Sequence, residues 1–177
     1  MNIVVQTSSP TATTGVLFIG QQRYDCTLGR TGVTLDKVEG DGKTPVGTYP
    51  FRYVLYRADR IEKPETGLPV HELTPQTGWC EDPAHADYNL QITLPHPSVH
   101  DRMTRDDNLY DICVVIGYND APVVAGKGSA IFMHLARPDF TPTAGCVGLR
   151  FADLVDVLKQ LDSASLITVL PPPDSRS

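Results

Sequence analysis

The 177-residue chain has no run of about eighteen apolar residues, so nothing in it reads as a membrane-crossing helix. Basic residues are in the minority. Fifteen Lys and Arg stand against 21 Asp and Glu, for a formal charge of −6. A nucleic-acid partner would want a basic face, which this balance argues against. The first ten residues, Met1 to Pro10, have neither a basic n-region nor a long apolar h-region, so they do not read as a signal peptide. Repeats and low-complexity tracts are missing. Cysteine is scarce: four in a chain of this length do not make a disulfide framework. Cys113 sits in an apolar run and reads as a core thiol. Cys26 and Cys80 are expected as unpaired buried thiols, with a bridge between them as the alternative.

Turn formers are plentiful. Fifteen Pro and fourteen Gly imply many short elements and a β-rich fold. Residues 16–19 and 23–28 read as a hairpin turning at Gly20. Residues 29–47 read as a glycine-rich loop, 49–56 as a strand and 57–88 as irregular, broken by Pro64, Pro69, Pro75 and Pro83. The strict alternation over 89–94 predicts a half-buried strand, and the apolar run 112–118 predicts a central one. Residues 129–134 form a further strand, with His134 at its end. Phe151, Leu154, Val155, Leu158 and Leu161 follow helical spacing, which predicts one amphipathic helix over 151–161. Residues 166–170 are a last strand. The expected architecture is a mostly β, all-β single domain over 1–170, a sandwich or barrel with one C-terminal helix, followed by a solvated tail over 171–177.

The chemistry concentrates in Thr141-Pro-Thr143-Ala144-Gly145-Cys146-Val-Gly-Leu-Arg150. A thiol needs a base to become a nucleophile at neutral pH, and imidazole is the usual partner. His134 ends an apolar run twelve residues before Cys146. Gly145 lets the backbone come close, so that the amides of Ala144, Gly145 and Cys146 can face a developing oxyanion. The physical reading is a cysteine acyltransferase or hydrolase. On spacing alone, an inert buried Cys beside a structural His is the favoured reading of the pair.

Gly128-Ser-Ala-Ile-Phe-Met-His134 followed by Pro142-Thr-Ala-Gly-Cys146-Val resembles the active-site signature of the L,D-transpeptidase (YkuD/ErfK-like) catalytic domain. That family shows a His, a variable gap, then Ser/Thr-His-Gly-Cys. Lys37-Val-Glu-Gly-Asp-Gly-Lys-Thr-Pro45-Val-Gly47 is similar to its Gly/Thr-Pro-x-Gly element. Gly78-Trp-Cys-Glu-Asp-Pro83 with Tyr88-Asn89, and Leu109-Tyr-Asp111 with Tyr118-Asn119, resemble a compact proteobacterial-type branch. The likeness covers roughly residues 15 to 170. In two respects the chain departs from the pattern: the gap after His134 is shorter, and Ala144 stands where most members carry a second His.

The resemblance implies acyl transfer between peptidoglycan stem peptides through a thioester at Cys146, with His134 as base and the Leu135 carbonyl holding its tautomer. It implies a tetrapeptide donor, an amine acceptor, a periplasmic or cell-wall location, susceptibility of Cys146 to carbapenems, and no metal or organic cofactor. Thr143, Tyr88, Asn119 and Arg137 are the expected substrate contacts. For Arg137, the alternatives are a stem carboxylate, an ion pair with Asp139, or solvent. Water as acceptor, in an L,D-carboxypeptidase or peptidoglycan amidase, is the nearest alternative function. A non-catalytic peptidoglycan-binding module is the more distant one.

Three other patterns read blandly. Gly42-Lys43-Thr44 lacks the earlier glycine of a phosphate loop, because Lys37 stands there. His96 and His100 have a zinc-like spacing but lie in a proline-interrupted loop, and read as surface residues. Trp79 reads equally as a groove wall or as core.

Overall fold

The computed structural model describes residues 1–173. The sequence-predicted tail lies outside the described residues from 174 onward. The strands in chain order are β1 (Ile3–Gln6), β2 (Thr14–Ile19), β3 (Gln22–Thr27), β4 (Val33–Thr34), β5 (Thr44–Pro45), β6 (Gly47–Tyr56) and β7 (Val70–Glu72). They continue with β8 (Thr77–Cys80), β9 (Gln91–Thr93), β10 (His100–Arg102), β11 (Ile112–Ile116), β12 (Phe132–Leu135), β13 (Val147–Leu149) and β14 (Leu166–Val169). Among the described residues there is one helix, α1, spanning Phe151–Leu158.

Strands β11-β12-β13-β3-β2-β1-β14-β6 follow one another in hydrogen-bonded order, and the β6–β11 pairing closes the ring. The result is the expected all-β barrel. β2 and β3 form the expected hairpin, with Ile19 opposite Gln22 and Gly20 at φ 57. Closure depends on the long strand β6. Its first half pairs with β14, and its second half pairs with β11 and β7.

Side-chain alternation explains how one continuous apolar run serves two cores. On β11, Ile112, Val114 and Ile116 enter the main cluster, while Cys113 and Val115 face a second one. On β12, Met133 and Leu135 join the main cluster and Phe132 the second. α1 has no side-chain N-cap, and at eight residues it is too short to persist alone. Packing holds it: Leu154, Val157 and Leu158 are fully buried in the main cluster, each contributing about 2 kcal/mol. The predicted helix ran three residues further. In the fold a turn replaces that last stretch, although Leu161 remains buried.

The clearest departure concerns residues 57–88. They contain β7 and β8, and β8 centres a three-stranded sheet with β9 and β10. Every residue of β8 is buried, so no alternation marked it in the sequence. This small sheet covers the second core. Trp79 from β8 meets Phe132 edge-on at 5.0 Å, and its indole N–H donates to Asn89 Oδ1 at 3.0 Å. The tryptophan is therefore core. Two further differences are smaller. Residues 3–6 form an interior strand parallel to β14, and the loop 29–47 contains the short parallel pair β4 and β5.

Candidate active site

β12 and β13 are adjacent and parallel, with Met133 opposite Val147 and His134 opposite Gly148. Period-two alternation therefore sends His134 and Cys146 to the same side of the sheet as Phe132. Both line a cavity of about 520 Å³. Gly145 positions Cys146. Its φ is 138°, and a Cβ there would meet the Lys43 carbonyl oxygen at 2.8 Å, so a side chain is excluded on both counts.

The imidazole Nδ1 lies 2.8 Å from the Leu135 carbonyl oxygen. That oxygen can only accept, so Nδ1 carries the proton and Nε2 is left as a base. Tyr110 meets the ring edge-on at 5.4 Å; its hydroxyl donates to Asp101 Oδ2 at 2.8 Å. Burial lowers the imidazole pKa to about 4, so the ring is neutral at neutral pH.

The Cys146 thiol is likewise buried. Sγ donates to the Ala130 carbonyl at 3.2 Å and accepts from the Phe132 N–H at 3.4 Å. Ala130 adopts φ 55 beside it. Burial pushes the thiol pKa up to about 12, against a smaller opposing pull from the Phe132 amide. The resting pair is thus neutral thiol and neutral imidazole, without a preformed thiolate. All four cysteines are free and buried, and Cys26 and Cys80 are not bridged.

The structure redistributes the other predicted residues. Ala144 is exposed at the cavity rim. Gly145 N–H donates to Thr143 Oγ1 at 3.1 Å, and Thr143 Oγ1 donates to the Cys146 carbonyl at 2.6 Å. Thr143 therefore organises the turn, and the Gly145 amide is spent there instead of facing an oxyanion. Arg137 lines the cavity and reaches Asp107 at 3.3 Å, whereas Asp139 binds Thr141.

Tyr88 and Asn119 are not among the cavity-lining residues. Tyr88 is buried, donating to Glu39 at 2.8 Å and accepting from the Gly128 amide. Asn119 closes the 119–128 loop through Val124 and Gly128. Asn89 similarly ties Trp79 and Ala130 to the Tyr118 and Asn119 carbonyls. His96 does not meet His100. It lies 3.0 Å from Asp87, with His85 alongside, and each ring's Nδ1 accepts a backbone N–H.

Sequence reasoning missed the charged lining. Glu39, Glu81 and Asp101 enter the cavity with Arg30, Lys37 and Arg105. Lys37 is paired with Asp41, and Arg105 with Asp107, which holds the Asp107 carboxyl down at about 2. Glu81 and Asp101 arrive on the small sheet, and no local pattern in the sequence announces them.

A family model described as the L,D-transpeptidase catalytic domain (YkuD) matches residues 3–169. No curated protein and no solved structure matches the chain.

Proposed function

The chain belongs to the L,D-transpeptidase catalytic-domain family, and from that premise we propose that it is a peptidoglycan L,D-transpeptidase working by cysteine acyl transfer. The observation that carries this reading is the convergence of Cys146 and a neutral, tautomer-fixed His134 on one charged cavity.

The donor is a stem tetrapeptide, cleaved at the carbonyl of the L-centre that precedes the terminal D-amino acid. As the donor enters, Sγ exchanges the Ala130 carbonyl for His134 Nε2. The proton passes to Nε2 as the carbon–sulfur bond forms, so charge develops only during the reaction. The Phe132 amide, already on Sγ, helps to hold that charge. The tetrahedral oxyanion takes the amide N–H groups of Ala144 and Cys146, since that of Gly145 is occupied. His134 then protonates the departing amine, leaving a thioester that an acceptor amine resolves. The Arg137 guanidinium, on the rim, meets a stem carboxylate. The site of action is the periplasm or cell wall, where this substrate lies.

Incubation with purified disaccharide-tetrapeptide, followed by mass spectrometry, tests the reading. The expected products are a cross-linked dimer and free D-amino acid, both absent with Cys146→Ala. Tripeptide monomer alone would make water the acceptor. No turnover and no thioester would reduce the domain to a binding module.

A further inference from the structure

Three carboxylates line the Cys146 cavity, and two are already spent. Asp101 accepts the Tyr110 hydroxyl, and Glu39 accepts the hydroxyls of Tyr88 and Ser129. Glu81 has no side-chain hydrogen bond among the described residues, although its backbone is pinned, its N–H donating to the Val99 carbonyl at 3.0 Å. The nearby cations do not neutralise it, since Lys37 and Arg105 are engaged with Asp41 and Asp107. Glu81 is half-buried; elsewhere on the wall, Thr27 Oγ1 is fully buried without a partner. Unsatisfied polar groups on a cavity wall mark positions that a bound ligand fills.

We propose that Glu81 is the base that takes a proton from the acceptor amine, and that it thereby steers the thioester toward amines and away from water. This rests on the acyl-transfer reading above. An alkyl amine arrives as an ammonium ion and cannot attack. The Glu81 carboxylate takes one proton, giving a free amine and a neutral carboxylic acid. The nitrogen lone pair attacks the thioester carbon. The carbon–nitrogen bond forms, the carbon–sulfur bond breaks, and sulfur leaves with the bonding pair. The second nitrogen proton passes through His134 Nε2 to Sγ. The amide departs, and Glu81 returns its proton to solvent.

The surroundings suit the role. Burial, then Asp101 and Glu39, raise the Glu81 pKa to about 7, where it can both accept and release a proton. The other titratable and charged groups lining the cavity are Asp101, Glu39, Lys37, Arg105, Arg30, Arg137, Tyr110, His134 and Cys146.

The test uses Glu81→Gln on the whole chain, with Glu81→Asp as the conservative variant. The acyl-enzyme is formed from tetrapeptide and partitioned between a second tetrapeptide and hydroxylamine, which is already unprotonated at neutral pH. Release of D-amino acid in the first half-reaction should stay within about twofold, which also reports that the variant is folded. Transfer to the tetrapeptide amine should fall about 100-fold, and water should take the thioester that transfer gives up. Transfer to hydroxylamine should hold, and Glu81→Asp should restore part of the loss. The rise of wild-type transfer through about pH 7 should vanish in Glu81→Gln.

Equal losses with both nucleophiles, or an unchanged ratio of transfer to hydrolysis, overturn the role of Glu81 while leaving the thioester mechanism standing. Wild-type protein that forms no thioester overturns both.

Discussion

The Cys146 thiol donates to the carbonyl oxygen of Ala130, two residues upstream of Phe132 in the chain, and not to His134. The proposed nucleophile is therefore held as a protonated, buried thiol, and its proposed base as a neutral ring.

This storage has a kinetic signature. Alkylation of free Cys146 by iodoacetamide should be slow at pH 7 and should climb about tenfold per pH unit toward the thiol pKa near 12. Acylation by a carbapenem should be fast at pH 7, because the bound carbonyl draws the proton onto His134 as it reacts. Intact-protein mass spectrometry follows both, each as one adduct absent in Cys146→Ala. An alkylation rate that already levels off below pH 7 would show a preformed thiolate.

Cys146→Ala should lower transpeptidation by several orders of magnitude, as removal of a covalent nucleophile does. Its circular dichroism should match the wild type, because the side chain lost is small. Residual turnover within tenfold of wild type would place the nucleophile at another thiol.

His134 links folding to pH. Its folded pKa, about 4, lies below the ordinary 6.5. Between those values the unfolded chain binds the extra proton, so acid favours unfolding. The contribution of His134 to stability is full above about pH 6.5 and is lost as pH falls toward 4, on the order of 3 kcal/mol. The difference in melting temperature between wild type and His134→Gln should follow that window. A constant difference from pH 8 to pH 4 would mean that the ring is charged or solvated in the folded protein.

Gly145→Ala should cost both fold and function. The new methyl meets the Lys43 carbonyl at 2.8 Å and must adopt φ 138, a conformation that side chains avoid. A loss of about 2 kcal/mol in urea unfolding is expected, together with loss of thioester formation. A variant of unchanged stability would show that the loop carrying Lys43 gives way freely.

Arg137→Lys tests substrate grip. Lysine lacks the planar fork that meets a carboxylate at two points. Turnover of tetrapeptide should fall, while alkylation of Cys146 by a small neutral reagent should not change. Parallel losses would assign Arg137 to holding the Asp107 side of the cavity.

Much of the architecture was legible because it is locally encoded. The hairpin is marked by Gly20 between two strand-like segments, β11 by a five-residue apolar run, and α1 by the helical spacing of Leu154 and Leu158. The cysteine after Gly145 and the histidine closing its apolar run stood out only as a candidate pair, which the resemblance of their segments to the L,D-transpeptidase signature favoured over an inert one. Tyr88 and Asn119 show where such reading stops. Their side chains are polar and sit near turns, as a binding residue would, yet the fold uses them to close the 117–130 segment behind the site.

By itself, then, the sequence determined the β-rich class, the amphipathic helix and the candidacy of Cys146 and His134, since periodicity and residue chemistry are properties of neighbours in the chain. Only the tertiary structure decided that β6 closes the barrel against β11, that a small sheet built from β8, β9 and β10 roofs the second core, and that Glu81, Asp101 and Glu39 meet beside Cys146. The strands of that sheet are three or four residues long, too short to show a period. Which groups share a cavity, and how burial moves their proton affinities, depends on residues far apart in sequence that become neighbours only when the chain is folded.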